Sequence, residues 1–310
     1  MSYQAVRQRL ERGEIVILDG AIGSEMLRRG VTWEGHKVES HPDAIRSIHA
    51  DYVAAGADVL STNTFQLARR SFLGHFCNEE HMHHIGAPDL DTRASTLIHD
   101  AVKLVREARD ASPRKNEVAI AGAMTTLEWC FRPDLTPSTD AMRAEYRETV
   151  QAFVDAGVDL MLFETFNRWL EAQMAVEAAN EIGIPAWVAF VPDWEGHLLS
   201  GESIATMVEK LQPLHPDAIL MNCAPPPDIT RALAELRRHY QGRTGGYAHV
   251  GRFDPPDWKF TDEYPPDEYL EVARKWVEGG STVVGGCCGT TPMHIQALRD
   301  GLRRAVPARA

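Results

Sequence analysis

Val283-Val284-Gly285-Gly286-Cys287-Cys288-Gly289-Thr290-Thr291-Pro292 is the stretch whose reading decides the fold. A β-branched run ends on two glycines. A tight loop then carries two adjacent thiols, and Thr-Pro supplies a helix cap and a first helical position. That is one complete β-then-α unit. The same grammar recurs along the chain. Short apolar runs stand at 15–18, 58–61, 118–121, 159–163, 186–190, 218–221, 246–250 and 281–284. Helical patterns fill the gaps at 42–56, 140–157, 169–182, 202–211, 229–240, 266–279 and 292–305. Several apolar runs are continuous, as strands buried on both faces of a parallel sheet are. Eight such units predict an α/β fold, a single (β/α)8 barrel of the TIM type, with residues 1–310 as one domain. The alternative is a doubly wound open sheet. It would call for G-x-G-x-x-G after the first strand, and Gly20-Ala21-Ile22-Gly23 lacks that spacing. The paired Ala55-Gly56-Ala57-Asp58 and Ala156-Gly157-Val158-Asp159 read as one helix-to-strand turn used twice.

Composition narrows the function classes. The chain has 310 residues, 44% hydrophobic and 25% charged, which suits a soluble globular protein. No apolar run approaches the roughly 20 residues that span a bilayer. Residues 1–12 are polar and charged and lack a signal-peptide core, so a cytoplasmic location is expected. A net charge of −12 argues against nucleic acid as a partner. Five cysteines, an odd number with two adjacent, suit reduced thiols better than a disulfide framework. Residues 77–91, with His81, His83 and His84 beside Glu79 and Glu80, read as a solvated loop rather than a second metal site. Residues 243–266 read as a second loop. Its run Phe253-Asp254-Pro255-Pro256-Asp257-Trp258 is either a lid or surface packing.

The chemistry-bearing residues converge once laid on a barrel. Asp19 and Gly20 end the first strand, Asn63 and Thr64 the second, and Glu164 the fourth. Asn222 and Cys223 end the sixth, and Cys287 and Cys288 the eighth. All fall on the carboxyl-end rim, where barrel enzymes keep their active sites. Cys223, Cys287 and Cys288 suggest a zinc site with thiolate ligands and one open position. The competing reading is three small buried apolar side chains. Glu164 and Asp19 suit a substrate ammonium, or else they are helix-start and turn carboxylates. Trp33 is either packing or a ring face for a cation.

With those motifs together, the chain resembles the homocysteine S-methyltransferase family. The resemblance rests on Leu18-Asp19-Gly20-Ala21-Ile22-Gly23-Ser24-Glu25, Gly56-Ala57-Asp58 with Thr62-Asn63-Thr64-Phe65, Phe163-Glu164-Thr165-Phe166, Asn222-Cys223 and Gly285-Gly286-Cys287-Cys288-Gly289-Thr290-Thr291-Pro292. It implies a (β/α)8 barrel with Zn2+ on Cys223, Cys287 and Cys288, and the homocysteine thiol in the fourth position. It implies that Asp19, Gly20 and Glu164 hold the amino-acid portion, with Trp33 near the methyl donor. Asn63, Thr64, Thr165 and Asn222 join the expected binding residues. Betaine-using relatives carry tyrosines where Gln66 and Thr165 stand here. Gln66 resembles relatives that use S-methylmethionine. The segment Gly122-Ala123-Met124-Thr125-Thr126-Leu127-Glu128-Trp129 lacks the Gly-Pro those relatives show. The expected activity is therefore methyl transfer from a small onium donor, a sulfonium or a betaine, to homocysteine, giving methionine. The alternatives are another thiol acceptor, or a non-catalytic zinc- or thiol-binding protein. Cobalamin-dependent relatives carry further modules for which this chain is too short, so no cobalamin is expected.

Overall fold

The computed structural model describes residues 2–31, 36–74, 76–86, 89–254, 257–261 and 263–303. Its strands are β1 (Val16–Ile17), β2 (Val59–Ser61), β3 (Ala119–Met124), β4 (Leu160–Phe166), β5 (Ala186–Phe190), β6 (Ala218–Asn222), β7 (Thr244–Tyr247), β8 (Arg252–Asp254), β9 (Asp257–Lys259) and β10 (Val283–Val284). Eight of them form one sheet in the order β1-β10-β7-β6-β5-β4-β3-β2, with every neighbouring pair parallel. The two ends meet. Leu18 bridges Val59, the Asp19 N–H donates to the Val59 carbonyl at 3.0 Å, and the Asp58 N–H donates to the Ile17 carbonyl at 2.7 Å. The expected (β/α)8 barrel is therefore closed. β8 and β9 form a separate antiparallel hairpin.

Side-chain alternation along the strands sorts the core into two parts. Val16, Leu18, Val59, Ala119, Ala121, Leu160, Leu162, Trp187, Ala189, Ala218, Leu220, Tyr247 and Val283 fill the barrel interior. The alternate residues, such as Ile120, Met161, Val188 and Ile219, pack outward against the helices. Four inward alanines leave room for the fully buried Trp187. The inward phase carried one step further puts Ser61, Glu164 and Asn222 at the top of the barrel, so alternation alone delivers polar groups to the rim.

The base is closed by a helix that the sequence reading did not assign. Ser2–Glu11 presents Tyr3, Val6 and Leu10, at helical spacing, to the barrel interior. The Trp187 indole N–H donates to the Tyr3 hydroxyl at 3.0 Å, and that hydroxyl donates to Asp217 at 2.6 Å. The repeated turn has a shared role. Gly56 (φ 114°) and Gly157 (φ 86°) end their helices in the left-handed conformation. Two residues later Asp58 accepts the Ile17 N–H at 2.9 Å, and Asp159 accepts the Ile120 N–H at 2.8 Å. Each aspartate thus ties its own strand to the preceding one.

Three sequence expectations need correction. Within the stretch 77–91 expected as a loop, Glu79–Ile85 is a helix capped by the Asn78 side chain, and its His83 pairs with Asp91 at 2.7 Å. The long helix Leu90–Asp110 was missing from the predicted set, although Ala94, Leu97, Ile98, Ala101, Val102 and Val105 form its buried stripe. The seventh barrel strand is Thr244–Tyr247, two residues earlier than the predicted 246–250, so residues 243–266 include a strand and a hairpin rather than one loop.

Asp58 is fully buried and meets Arg9 at 2.7 Å and Arg114 at 2.7 Å, with Arg303 as a third partner. It links the N-terminal helix, the segment before β3 and the end of the last helix. Burial pushes its carboxyl up, but the Arg9 and Arg303 guanidinium groups win and hold it below the usual carboxylate range. Asp58→Asn should therefore cost about 3 kcal/mol in urea unfolding at neutral pH, because it leaves three half-buried guanidinium groups without their shared counter-charge. The contribution belongs to the ionised form. It should be complete above the ordinary aspartate pKa of about 4 and fade as pH falls through the depressed folded value. The stability gap between wild type and variant should accordingly close only in strong acid.

Candidate active site

The cysteine loop is stitched down by its neighbours on all sides. The Gly286 N–H donates to the Asp19 carbonyl at 3.1 Å, Cys287 N–H to Ala248 at 3.0 Å, and Val250 N–H to Cys288 at 2.8 Å. The Thr290 hydroxyl donates to the Cys287 carbonyl at 2.7 Å, and the Gly289 N–H donates to Ser24 Oγ at 2.8 Å. Gly289 sits at φ 86°, and a Cβ there would run into the Val250 carbonyl. Only glycine lets the chain turn so closely behind Cys288. The helix Pro292–Leu302 then starts with the cap that Thr291-Pro292 predicted, closed by His294 at the third position.

β6 supplies the third thiol under strain. Cys223 stands at φ 54° and Thr165, at the end of β4, at φ 61°, both non-glycine residues in the left-handed region. One side chain holds them. Asn222 Oδ1 accepts the Thr165 N–H at 3.0 Å, and its Nδ2 donates to the Thr165 hydroxyl at 2.8 Å. Asn222 thereby fixes the backbone beside both Glu164 and Cys223. The result is that Cys223, Cys287 and Cys288 bring their sulfurs within 4.8 Å of one another. The ligand-to-ligand edge of a zinc–thiolate tetrahedron is roughly 3.8 Å, so the spacing fits such an ion after small adjustments. The three sulfurs share their protons unequally. Hydrogen bonds from Cys223 and Cys287 hold Cys288 well below the usual thiol range, while hydrogen bonding within the cluster and burial raise the other two.

The sulfurs line a cavity of about 380 Å³ at the carboxyl end of the barrel. Its wall also includes Asp19, Gly20, Asn63, Thr64, Gln66, Glu164 and Thr165, which places these predicted residues around one space. Asn222 lies behind the wall, and Trp33 falls outside the described residues. Asp19 is 2% exposed and receives the Ser61 N–H at 2.9 Å and the Ser61 hydroxyl at 3.0 Å. Burial pushes its carboxyl well up, against those two bonds, and Glu164 adds to the rise. Glu164 takes a hydrogen bond from the Tyr247 hydroxyl at 3.2 Å, yet burial still pushes it up to about 7. Two desolvated carboxyls in one wall call for a cation between them.

A family model described as homocysteine S-methyltransferase matches residues 16–302. The chain belongs to the homocysteine S-methyltransferase family. It is 27% identical to homocysteine S-methyltransferase 1 of Arabidopsis thaliana, over 94% of each chain. It is 26% identical to selenocysteine methyltransferase of Astragalus bisulcatus, over 93% of this chain and 92% of that one. Among solved structures, the metallated form of the homocysteine methyltransferase MmuM from Escherichia coli superposes with a TM-score of 0.78. The two share 25% identity, over 96% of this chain and 99% of that one. No helix of the described residues is long and apolar enough to cross a membrane.

Sequence reasoning missed the supporting cast of this family site. Tyr247 escaped because two glycines dilute the seventh strand, which was therefore read late. Reading it from Thr244 would have put Tyr247 on the rim. Ser61 gave no signal at all, since its bond to Asp19 depends on the β1–β2 register. His36, Lys37 and Phe131 also line the cavity. Asn222→Ala should lower stability by about 2–3 kcal/mol in urea unfolding, because the buried Thr165 N–H is left without a partner. Asn222→Asp, which keeps the acceptor, should cost less.

Proposed function

We propose that this chain transfers a methyl group from a small onium donor to the sulfur of homocysteine, giving methionine, with zinc held by Cys223, Cys287 and Cys288. The observation that carries the proposal is the cluster of three sulfurs within 4.8 Å in a cavity whose wall also holds the buried Asp19 and half-buried Glu164 carboxyls. Soft thiolate donors select a soft or borderline ion, and zinc brings no redox chemistry to the sulfurs. A thiol at the open position would be ionised near neutral pH by that ion's charge, instead of at its ordinary pKa of about 8.5.

The chain's own groups do the rest. Asp19 and Glu164 take the substrate ammonium, which relieves their mutual repulsion and draws both carboxyls back toward the ionised state. Ser61 and Tyr247 keep those carboxyls aimed. Asn222 and Thr165 fix the distance between the ammonium-binding edge and the thiol-binding edge. Phe65 and Phe131 line the same cavity and are the aromatic rings available to an onium cation, with the Gln66 amide beside them. Methyl transfer forms one carbon–sulfur bond to the acceptor and breaks the bond from methyl to the onium centre, which leaves neutral. The thiol proton leaves to solvent before attack, so the acceptor reacts as a thiolate. Because the donor's charge vanishes in the reaction, tight cation binding alone would favour the ground state. Alignment of the two reactants is the larger contribution.

Relatives named selenocysteine methyltransferase match about as well as those named for homocysteine, so a selenol or another thiol is the competing acceptor. A matrix of acceptors (homocysteine, cysteine, selenocysteine) against donors (S-methylmethionine, glycine betaine), read by mass spectrometry, decides between them. Homocysteine with a sulfonium or betaine should give methionine. Absence of methionine from every homocysteine pairing would overturn the reading. Cys287→Ser should lose both stoichiometric metal and turnover. Glu164→Ala should keep the metal and lose more than about 30-fold in kcat/KM, the scale of a buried charge partner removed.

A further inference from the structure

Two large aromatic side chains stand exposed together on the segment that leaves β3. Trp129 is 47% exposed and Phe131 41%, and their rings meet edge to face with centroids 6.4 Å apart. The segment that carries them is pinned from beneath. The Thr125 N–H donates to the Phe65 carbonyl at 2.9 Å, and the Leu127 N–H donates to the Glu171 carboxylate at 2.8 Å. Asn167 Nδ2 donates to the Cys130 carbonyl at 2.7 Å, and Arg70 holds the Glu128 carboxylate at 2.9 Å. Glu171 and Asn167 are each buried to 1% exposure, and Glu171 also accepts the Tyr146 hydroxyl at 2.9 Å. Burial raises the Glu171 carboxyl above its usual range, against those two hydrogen bonds. Water serves the backbone of an ordinary surface connection. Here two buried polar side chains fix a short segment whose apolar rings stay exposed.

The rings lie where two cavities join. Phe131 lines the reactive cavity. Trp129 lines an adjoining cavity of about 400 Å³ that shares Phe65 and Gln66 with the reactive one. We propose that Trp129 extends the Phe65 and Phe131 rings into an aromatic wall that selects the onium form of the methyl donor, with Glu171 and Asn167 as positioning residues that hold the wall. The inference rests on the methyl-transfer reading above. A ring face attracts a sulfonium or quaternary ammonium through its quadrupole and has no such attraction for a neutral group of the same shape. The wall thus favours a charged sulfonium donor over the thioether it becomes. Because the segment is fixed before the donor arrives, little ordering cost attends binding. The Thr125–Phe65 bond ties the two halves of the wall together.

Calorimetric titration of the metal-loaded protein tests this without turnover. S-methylmethionine is compared with 2-amino-5-methylhexanoate, which has carbon in place of the charged sulfur. Glycine betaine is compared with 3,3-dimethylbutyrate in the same way. In at least one pair the wild type should bind the onium roughly 3- to 30-fold more tightly, the range for a cation over a ring face. Trp129→Leu should at least halve that ratio, and Trp129→Phe should keep most of it. Since the ratio is taken within each variant, a general loss of affinity cancels. Glu171→Ala should also lower the ratio, while homocysteine affinity holds and Glu171→Gln, which keeps an acceptor for the Leu127 N–H, stays near the wild type. If Glu171→Ala does not fold, Asn167→Ala takes its place. No preference for the onium in either pair, or a ratio unchanged by Trp129→Leu, overturns the wall. Equal losses of homocysteine and donor affinity in Glu171→Ala, with the ratio intact, overturn the positioning role. A failure of methyl transfer with onium preference intact and sensitive to Trp129→Leu counts against the methyltransferase reading instead.

Discussion

Three sulfur atoms from two separate strands must meet at one point, and most of the structure serves that requirement. β6 and β10 flank β7 in the sheet, so Cys223 and the Cys287–Cys288 pair can converge only if the barrel closes and keeps its register. Closure is secured far from the thiols. At the base, buried Asp58 gathers three arginines and the N–H of the first strand, and the Ser2–Glu11 helix seals the interior. At the top, Asn222 holds two left-handed residues in place. The strain at Thr165 and Cys223 is the local cost of that convergence.

The second constraint is electrostatic. Asp19 and Glu164 are carried into a desolvated wall by alternation along the strands and by the rim position of the first turn. Each has one hydroxyl-bearing neighbour, Ser61 or Tyr247. One cavity wall therefore gathers both desolvated carboxyls. On the proposed reading, a thiol-bearing amino acid suits both features: ammonium to carboxyl, sulfur to the cysteine cluster.

Most of this was legible in the residues. The Val283–Pro292 stretch showed strand, thiol loop and helix start, and its repetition gave the barrel. Ala186–Phe190 was located to the residue, because a fully buried parallel strand is continuously apolar. Thr244–Tyr247 was misplaced because its glycines carry no apolar signal. The Leu90–Asp110 helix went unread although its apolar stripe is regular, since polar residues dominate its exposed face and its first turn. The cysteines and the two rim carboxyls were visible as unusual residues at strand ends. Ser61, Tyr247 and the Asn222–Thr165 lock were not, since each depends on a register or a hydrogen bond between distant strands.

X-ray absorption at the metal edge, on reduced protein before and after addition of homocysteine, tests the central claim most directly. The account expects one zinc per chain with three sulfurs at about 2.3 Å and a lighter fourth neighbour, changing to four sulfurs when homocysteine binds. A protein that transfers methyl groups without stoichiometric metal, or whose sulfur count stays at three with homocysteine bound, would contradict it.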